Sequence, residues 1–172
     1  MNSGKSLKNA SFIFFLGTCL IIIGIILFYQ KTTVEVIPLL TPTPTVSFAR
    51  ATRVIDGDTI VIDTGEHVRY IGMNAPELSP LECYATEAAE INKNLVLGKT
   101  VRLVKDISET DKYGRLLRFV YVGNTFVDDE LVKEGAAKIE TVPPDTEFKD
   151  EFIESENSAK ENKLGMWGEC QN

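Results

Sequence analysis

The fold is decided by residues 51–73, which read ATRVIDGDTIVIDTGEHVRYIGM. The runs ATRVI and TIVI are rich in β-branched residues, which favour strands. An Asp-Gly pair at 56–57 separates the two runs and is a strong signal for a tight turn. A Thr-Gly pair at 64–65 marks a second turn, before a third strand at 67–73. This stretch therefore predicts that a domain opens with a three-stranded meander.

After this meander, helices and strands follow in an order typical of a small barrel. Ala88, Ile91 and Leu95 recur at helical spacing and indicate a helix at 84–97 that ends before Gly98. The other predicted elements are strands at 100–105 and 116–122, a short helix at 127–134, and a last amphipathic helix that Asp145 or Thr146 would cap. The predicted fold class is α+β, a five-stranded OB-fold β-barrel with about three helices, because strands with helices inserted late are the order of such barrels.

The N-terminal residues have the composition of a membrane anchor. Residues 10–29 carry no charge, and a helix of this length spans about 30 Å, the thickness of the hydrocarbon core of a bilayer. Lys5 and Lys8 precede the run, so the positive-inside bias predicts one transmembrane helix with residues 1–9 in the cytoplasm. The alternative is a cleaved signal peptide, although the run is long for one and no good Ala-x-Ala site follows it.

A linker is predicted between the anchor and the domain, at residues 30–47. It contains the run TPTPT at 41–45, which disfavours helices and central strands. The domain itself is predicted at 48–170. The expected protein is therefore membrane-anchored and single-pass with its domain outside the cytoplasm, or secreted if the anchor is cleaved.

Composition excludes several classes of function. The chain has 172 residues and a formal net charge of −7, which argues against a protein that coats nucleic acid generally. Its single histidine excludes metal sites built from several histidines. Its three cysteines lack the Cys-x-x-Cys spacing typical of zinc sites, and Cys19 within the apolar run is interpreted as a small apolar residue.

Four short segments concentrate polar residues at predicted turns and strand ends. They are IDGDT at 55–59, VRYIG at 68–72, MNAPE at 73–77 and TDKYGR at 110–115. In their order and spacing they resemble the signature stretches of the thermonuclease (staphylococcal-nuclease-like) family, and KLGMW at 163–167 resembles the end of that family's domain. The resemblance covers about residues 51–167. It implies a Ca²⁺-dependent endonuclease that hydrolyses unpaired DNA and RNA and leaves 3′-phosphates.

The resemblance also implies a role for each polar residue. Asp58, Asn74 and the backbone carbonyl of Ala75 match the family's metal ligands, and hard oxygen ligands suit Ca²⁺. Glu77 matches the general base that takes a proton from water. The structural alternatives are that Asp58 only forms a turn and that Glu77 begins a turn or caps a helix.

The basic residues of these segments match the family's phosphate-binding groups. Arg69 and Arg115 match two phosphate clamps, and guanidinium groups stay charged at any relevant pH. Lys112 and Tyr113 match positions that contact nucleotide phosphate, near the 5′ side. The alternatives are that Arg69 lies on a solvated strand face and that Arg115 only pairs with Asp111.

The chain departs from the family pattern at two places. Asn74 stands where the family typically has Asp, and Ala75 where it often has Thr, so Ca²⁺ binding is expected to be weak. After Lys138 the chain reads IETVPP, where the family can carry base-stacking tyrosines. Each missing stack removes about 1–3 kcal/mol of binding energy, so base preference and substrate affinity are the properties most affected.

Cys83 and Cys170 are candidates for a disulfide if the domain lies outside the cytoplasm. The alternative is two free thiols.

Two main functions are compatible with the sequence. The first is an anchored nuclease, expected as a monomer. The second is a catalytically weakened OB-fold module that binds nucleic acid or protein. Arg69, Glu77 and Arg115 are all present, which favours the enzyme. A purely structural membrane protein is disfavoured because charged residues cluster at strand ends.

Overall fold

The computed structural model describes residues 21–26 and 45–170. Residues 21–26 are helical. The rest of the predicted transmembrane helix at 10–29, most of the predicted linker at 30–47, and Cys19 lie outside the described residues. Within the described ranges, none of the helices combines the length and the apolar character that crossing a bilayer requires.

The domain contains short strands and helices in nearly the predicted order. The strands are β1 (Val46–Val54), β2 (Thr59–Ile62), β3 (His67–Tyr70), β4 (Met73–Asn74), β5 (Thr100–Val104), β6 (Leu116–Val122), β7 (Thr125–Phe126) and β8 (Lys138–Ile139). The helices are α1 (Ala85–Val96), α2 (Val127–Lys133), α3 (Lys149–Glu161) and α4 (Met166–Glu169).

Five of the strands close into a barrel. The sheet runs in the order β3-β2-β1-β5-β6-β7, and a parallel pairing of β3 with β6 closes it. β1 serves both halves of this barrel, because its first part pairs with β5 and its last part with β2. The register shifts between Ala51 and Arg53, where the strand passes from one partner to the other. This architecture confirms the predicted five-stranded α+β barrel.

The predicted third strand, at 67–73, is wrong as a single element. It is divided into β3 and β4 at Gly72, which has a φ of +82°. A Cβ at this position would lie 2.4 Å from Cε2 of Phe152, whose ring is buried on α3. Glycine is therefore needed here for both backbone conformation and space. The break lets β4 leave the barrel and pair with β8.

Two predicted boundaries also differ from the structure. β1 begins at Val46, so the last two residues of the predicted linker form part of the barrel. The helix predicted as the last one is α3, which begins at Lys149 without a side-chain cap, so Asp145 and Thr146 do not cap it. The Asp145 carboxylate instead accepts hydrogen bonds from the N–H groups of Ile107 and Ser108, at 2.9 and 2.8 Å.

A disulfide joins Cys83, just before α1, to Cys170, just after α4. The two Cα atoms are 5.9 Å apart, and the residues are separated by 87 positions in the sequence. The bridge ties the end of the chain to the loop that follows the MNAPE segment.

Candidate active site

The turn between β1 and β2 holds Asp58 in a buried position. Asp56 accepts a hydrogen bond from the Asp58 N–H through its side chain, at 3.0 Å, which is the turn-forming role expected of it. A Cβ on Gly57 would lie 2.4 Å from the Cβ of Ala75 and 3.0 Å from that of Ala88. Only glycine therefore lets the turn pack this closely against α1 and the MNAPE segment.

Asp58 is a buried carboxylate with several hydrogen bonds. Its Oδ2 accepts the N–H of Ala75 at 2.7 Å, and its Oδ1 accepts the hydroxyl of Thr59 at 2.9 Å. Burial raises the pKa of Asp58 to about 6, although the Arg69 guanidinium opposes the rise. Asp58 is more than a turn former, because its carboxylate links β2 to the segment that contains Asn74.

Arg69 lies at the centre of the site. Its Nη2 donates a hydrogen bond to Asn74 Oδ1 at 2.7 Å. Its Nη1 is 2.5 Å from Asp58 Oδ1, in an ion pair whose N–H is not directed at the oxygen, so Nη1 has no hydrogen-bond partner among the described residues. The side chain is only 14% exposed. The alternative of a solvated strand-face residue is therefore wrong.

Arg115 reaches the same site from the start of β6. Its Nε donates to Asp111 Oδ2 at 2.7 Å, and its Nη1 lies 3.5 Å from the hydroxyl of Thr59, next to Asp58. Partial burial would raise the pKa of Asp111, but hydrogen bonds from Arg115 and Tyr113 outweigh burial and hold that pKa below its usual value. Arg115 thus pairs with Asp111 and also extends toward Asp58.

A cleft of about 470 Å³ opens beside these residues. Arg69, Lys112, Tyr113, Arg115 and Glu140 are among the residues that line it. The Tyr113 side chain is 73% exposed, and its ring centre lies 4.9 Å from Lys112 Nζ. The cleft therefore has a cationic side and an exposed aromatic ring, which together fit an anion attached to a flat group.

Glu77 lies apart from this group. It follows Asn74 and Ala75 on an exposed loop, where its N–H donates to a Glu82 carboxylate oxygen at 3.0 Å. In the part of the chain that the structure describes, no hydrogen bond or ion pair joins the Glu77 carboxylate to another residue. The structure thus brings the other predicted site residues together and leaves the Glu77 carboxylate exposed to solvent, three residues after Asn74 in the sequence.

Sequence reasoning missed a buried polar contact beneath the site. Asn92 on α1 accepts a hydrogen bond from the Tyr70 hydroxyl at 2.8 Å and donates one to the Asp56 carbonyl at 3.0 Å. Asn92 and Tyr70 are 0% and 2% exposed. The only sequence signal was an asparagine one turn after Ala88 on the apolar face of the helix. Through these bonds α1 holds the turn that carries Asp58.

Replacing Asn92 with leucine is expected to lower the free energy of unfolding by about 1–3 kcal/mol, because it leaves the Tyr70 hydroxyl and the Asp56 carbonyl buried without partners. Urea unfolding followed by circular dichroism measures the change. Asn94→Leu, on the exposed side of the same helix, is the control and is expected to shift stability by less than about 0.5 kcal/mol. Equal effects of the two substitutions would contradict this reading.

The oxygen atoms around Arg69 suit a hard cation. Asp58 offers a carboxylate and Asn74 an amide oxygen. Both contact the Arg69 guanidinium, so these oxygens already surround one positive charge. Oxygen donors of this kind are the ligands Ca²⁺ prefers. Among residues 21–26 and 45–170, no three or more His, Cys, Asp or Glu side chains form a metal-holding group, so a cation here would depend on amide and backbone oxygens as well.

Comparison with known proteins bears on this arrangement. The family model described as "Staphylococcal nuclease homologue" matches residues 67–169. The thermonuclease of Staphylococcus hyicus is 33% identical over 122 residues, covering 67% of this chain and 72% of that protein. Endonuclease YncB of Bacillus subtilis is 42% identical over 124 residues, covering 67% of this chain and 59% of that protein. The thermonuclease of Staphylococcus intermedius is 35% identical over 122 residues, covering 67% of this chain and 73% of that protein.

Proposed function

Since the chain belongs to the staphylococcal nuclease homologue family and is a nuclease, we propose that it is a Ca²⁺-dependent endonuclease that cleaves unpaired DNA and RNA and leaves 3′-phosphate ends. The observation that supports the proposal most is that Arg69 and Arg115 both line the cleft and both reach the buried carboxylate of Asp58, Arg69 directly and Arg115 through the Thr59 hydroxyl. Two guanidiniums beside a buried carboxylate fit a phosphodiester that must be held and neutralised during hydrolysis.

The two arginines bind the scissile phosphate in this proposal. Each guanidinium can donate paired hydrogen bonds to phosphate oxygens, and each keeps its charge as negative charge grows on the phosphorus centre. Arg115 is held by Asp111, which leaves its Nη atoms directed toward Thr59 and the site. Arg69 exchanges its present contact with Asn74 for the phosphate.

Glu77 takes the proton of the attacking water. Its carboxylate is exposed and lies three residues after Asn74, on the loop at the edge of the site. Asp58, Asn74 and the carbonyl of Ala75 would hold Ca²⁺, which when bound adds positive charge beside the phosphate. Lys112 and Tyr113 contact the next phosphate along the strand, since both line the cleft.

The cleft offers weaker base stacking than the family pattern implies. After Lys138 in the sequence, the residues that line the cleft are Glu140, Val142, Pro143 and Asp145, none of which is aromatic. Binding is therefore expected to depend on phosphate contacts more than on the bases, and to weaken strongly as salt is raised.

Asn74 makes wild-type Ca²⁺ binding weak. We expect a dissociation constant near the millimolar range, because an amide oxygen replaces a charged carboxylate. Asn74→Asp is expected to tighten binding about tenfold or more, which corresponds to about 1.4 kcal/mol. Isothermal titration calorimetry with CaCl₂ measures both values. Micromolar affinity in the wild type, with no tightening in Asn74→Asp, would show that this expectation is wrong.

The location of the enzyme is also a proposal. We propose a monomer anchored through residues 10–29, with its domain outside the cytoplasm. The uncharged run of 20 residues supports the anchor, and the Cys83–Cys170 disulfide suits an oxidising compartment. Alkylation of intact cells with a membrane-impermeant reagent at an introduced surface cysteine tests which side of the membrane the domain occupies.

Cleavage assays test the activity. The full-length chain in mild detergent is incubated with single-stranded DNA or RNA in millimolar CaCl₂, with EGTA as the control, and product ends are typed by their sensitivity to a 3′-phosphatase. Cleavage that requires Ca²⁺ and leaves 3′-phosphates supports the proposal. If the folded chain binds the strands without cleaving them at any Ca²⁺ concentration, the weakened OB-fold binding module replaces it.

A further inference from the structure

Glu140 is a carboxylate that the sequence motifs do not include, yet it lies beside the site. It directly follows β8, which pairs with β4 so that Lys138 stands opposite Asn74. The Glu140 N–H donates to the carbonyl of Gly72 at 2.9 Å. These backbone contacts hold Glu140 on the strand pair that carries Asn74, facing the cleft.

Three side-chain oxygens converge on the Arg69 guanidinium. Asp58 Oδ1 is 2.5 Å from Nη1, Asn74 Oδ1 is 2.7 Å from Nη2, and Glu140 Oε2 is 3.9 Å from the same Nη2. A group of oxygens around one positive charge is also the arrangement that a bound metal cation requires. The oxygens that now surround the positive charge of Arg69 are therefore the groups that could also contact a metal ion.

Glu140 is free to serve this site, whereas the other carboxylates of the cleft are not. Asp111 is held by Arg115, and Asp145 accepts two backbone N–H groups. Within the described residues, the long contact with Arg69 is the sole ion pair of Glu140, and its side chain is 53% exposed. An exposed glutamate can change rotamer at little cost, so its carboxylate can move toward a cation.

The charge of the site is incomplete without Glu140. Asp58 is the one carboxylate in the predicted ligand set, because Asn74 and the Ala75 carbonyl are neutral. The affinity of a Ca²⁺ site depends on how many of its ligands are charged. A second carboxylate on the same guanidinium would restore the negative charge that the amide of Asn74 lacks.

We propose that Glu140 is a Ca²⁺-binding residue of this site and supplies, directly or through a bound water, the negative charge that Asn74 lacks. The inference rests on the proposed function, because it concerns the cation that the nuclease would use. With Ca²⁺ bound, the carboxylates of Glu140 and Asp58 would neutralise the metal as well as Arg69. The guanidinium would then keep more of its charge for the phosphate, so that cation binding and substrate binding would assist each other.

Calorimetric titration of the full-length chain in mild detergent with CaCl₂ tests Glu140 without using activity. Glu140→Gln is expected to weaken Ca²⁺ binding by about tenfold or more. Glu147→Gln removes the same charge from an exposed position seven residues further on and is expected to change the affinity by less than about twofold. Circular dichroism confirms that each variant is folded.

A double variant tests whether a carboxylate at either position supplies the charge of the site. Asn74→Asp in the Glu140→Gln background is expected to restore wild-type affinity to within about threefold, because a carboxylate returns to the site on the opposite strand. The loss in Glu140→Gln should persist in about 0.5 M KCl, where longer-range charge effects are screened.

Either of two results would overturn the inference: a Glu140→Gln affinity that matches Glu147→Gln, or no detectable Ca²⁺ binding by the wild type. In the first case Glu140 is only a partner of Arg69. Cleavage by the wild type is scored separately, so the nuclease proposal stands or falls on its own. If the wild type cleaves in a Ca²⁺-dependent manner and Glu140→Gln binds Ca²⁺ as tightly as the wild type, only this inference is wrong. If Glu140→Gln binds Ca²⁺ more weakly but the wild type does not cleave, only the nuclease proposal is wrong.

Discussion

Replacing Glu77 with glutamine is expected to lower the turnover number for single-stranded DNA cleavage by about 10²–10⁴-fold, the range that a general base contributes. Glutamine keeps the size and the hydrogen-bonding capacity of the side chain but cannot accept a proton from water. Glu77 is exposed, so the loss should not come from unfolding. Initial rates at saturating substrate and Ca²⁺ measure the effect.

The matched control for this substitution is Glu161→Gln. Glu161 is an exposed glutamate at the end of α3, far in sequence from the MNAPE segment, and its removal should leave the rate unchanged. The substrate KM of Glu77→Gln should also stay near the wild-type value, since the two arginines proposed to bind phosphate are untouched. A rate within about threefold of wild type would remove Glu77 from the mechanism, because a general base contributes far more than that.

Removing the Cys83–Cys170 bridge is expected to destabilise the domain by about 3–5 kcal/mol. The bridged residues are 87 positions apart, so the bridge restricts a large part of the unfolded chain. The double substitution Cys83→Ser with Cys170→Ser avoids a free thiol. Its unfolding by urea, compared with that of the wild type, gives the difference in free energy.

Reduction provides a second route to the same state. Wild-type protein treated with dithiothreitol should unfold at the same urea concentration as the double variant, and Cys19→Ser should behave like the untreated wild type. A difference of less than about 1 kcal/mol between bridged and unbridged protein would show that the folded chain gains little from the bridge.

The barrel was predictable from sequence because its strands carry local sequence signals. β2 is a run of β-branched residues between two turns that contain glycine. Such residue patterns and turn signals can be recognised in the sequence without any tertiary information. The division of the third strand at Gly72 was not predictable in the same way. It depends on the Phe152 ring, which lies 80 residues further along the chain and fills the space that a side chain would need.

The site shows the same contrast. Asp58, Arg69 and Arg115 lie in short motifs, so their positions could be predicted and the structure brings them together. Asn92 and Glu140 belong to no motif. Each acts on a residue far away in sequence, Asn92 on the Asp56 carbonyl and Glu140 on Arg69, and such contacts follow from packing and strand pairing.

The strand pair that closes the barrel determines how the two arginines are placed relative to each other. Arg69 lies within β3, Arg115 immediately precedes β6, and the parallel pairing of these strands sets Arg69 opposite Leu117. The separation of the two backbone positions is therefore set by this one strand pair and its register, since paired strands lie about 4.8 Å apart. Loops around the cleft can lengthen, shorten or change charge during evolution while the strand pair that positions the two arginines stays the same. A nuclease of this architecture can in this way acquire new substrate preferences without rebuilding the part that is proposed to hold the reacting bond.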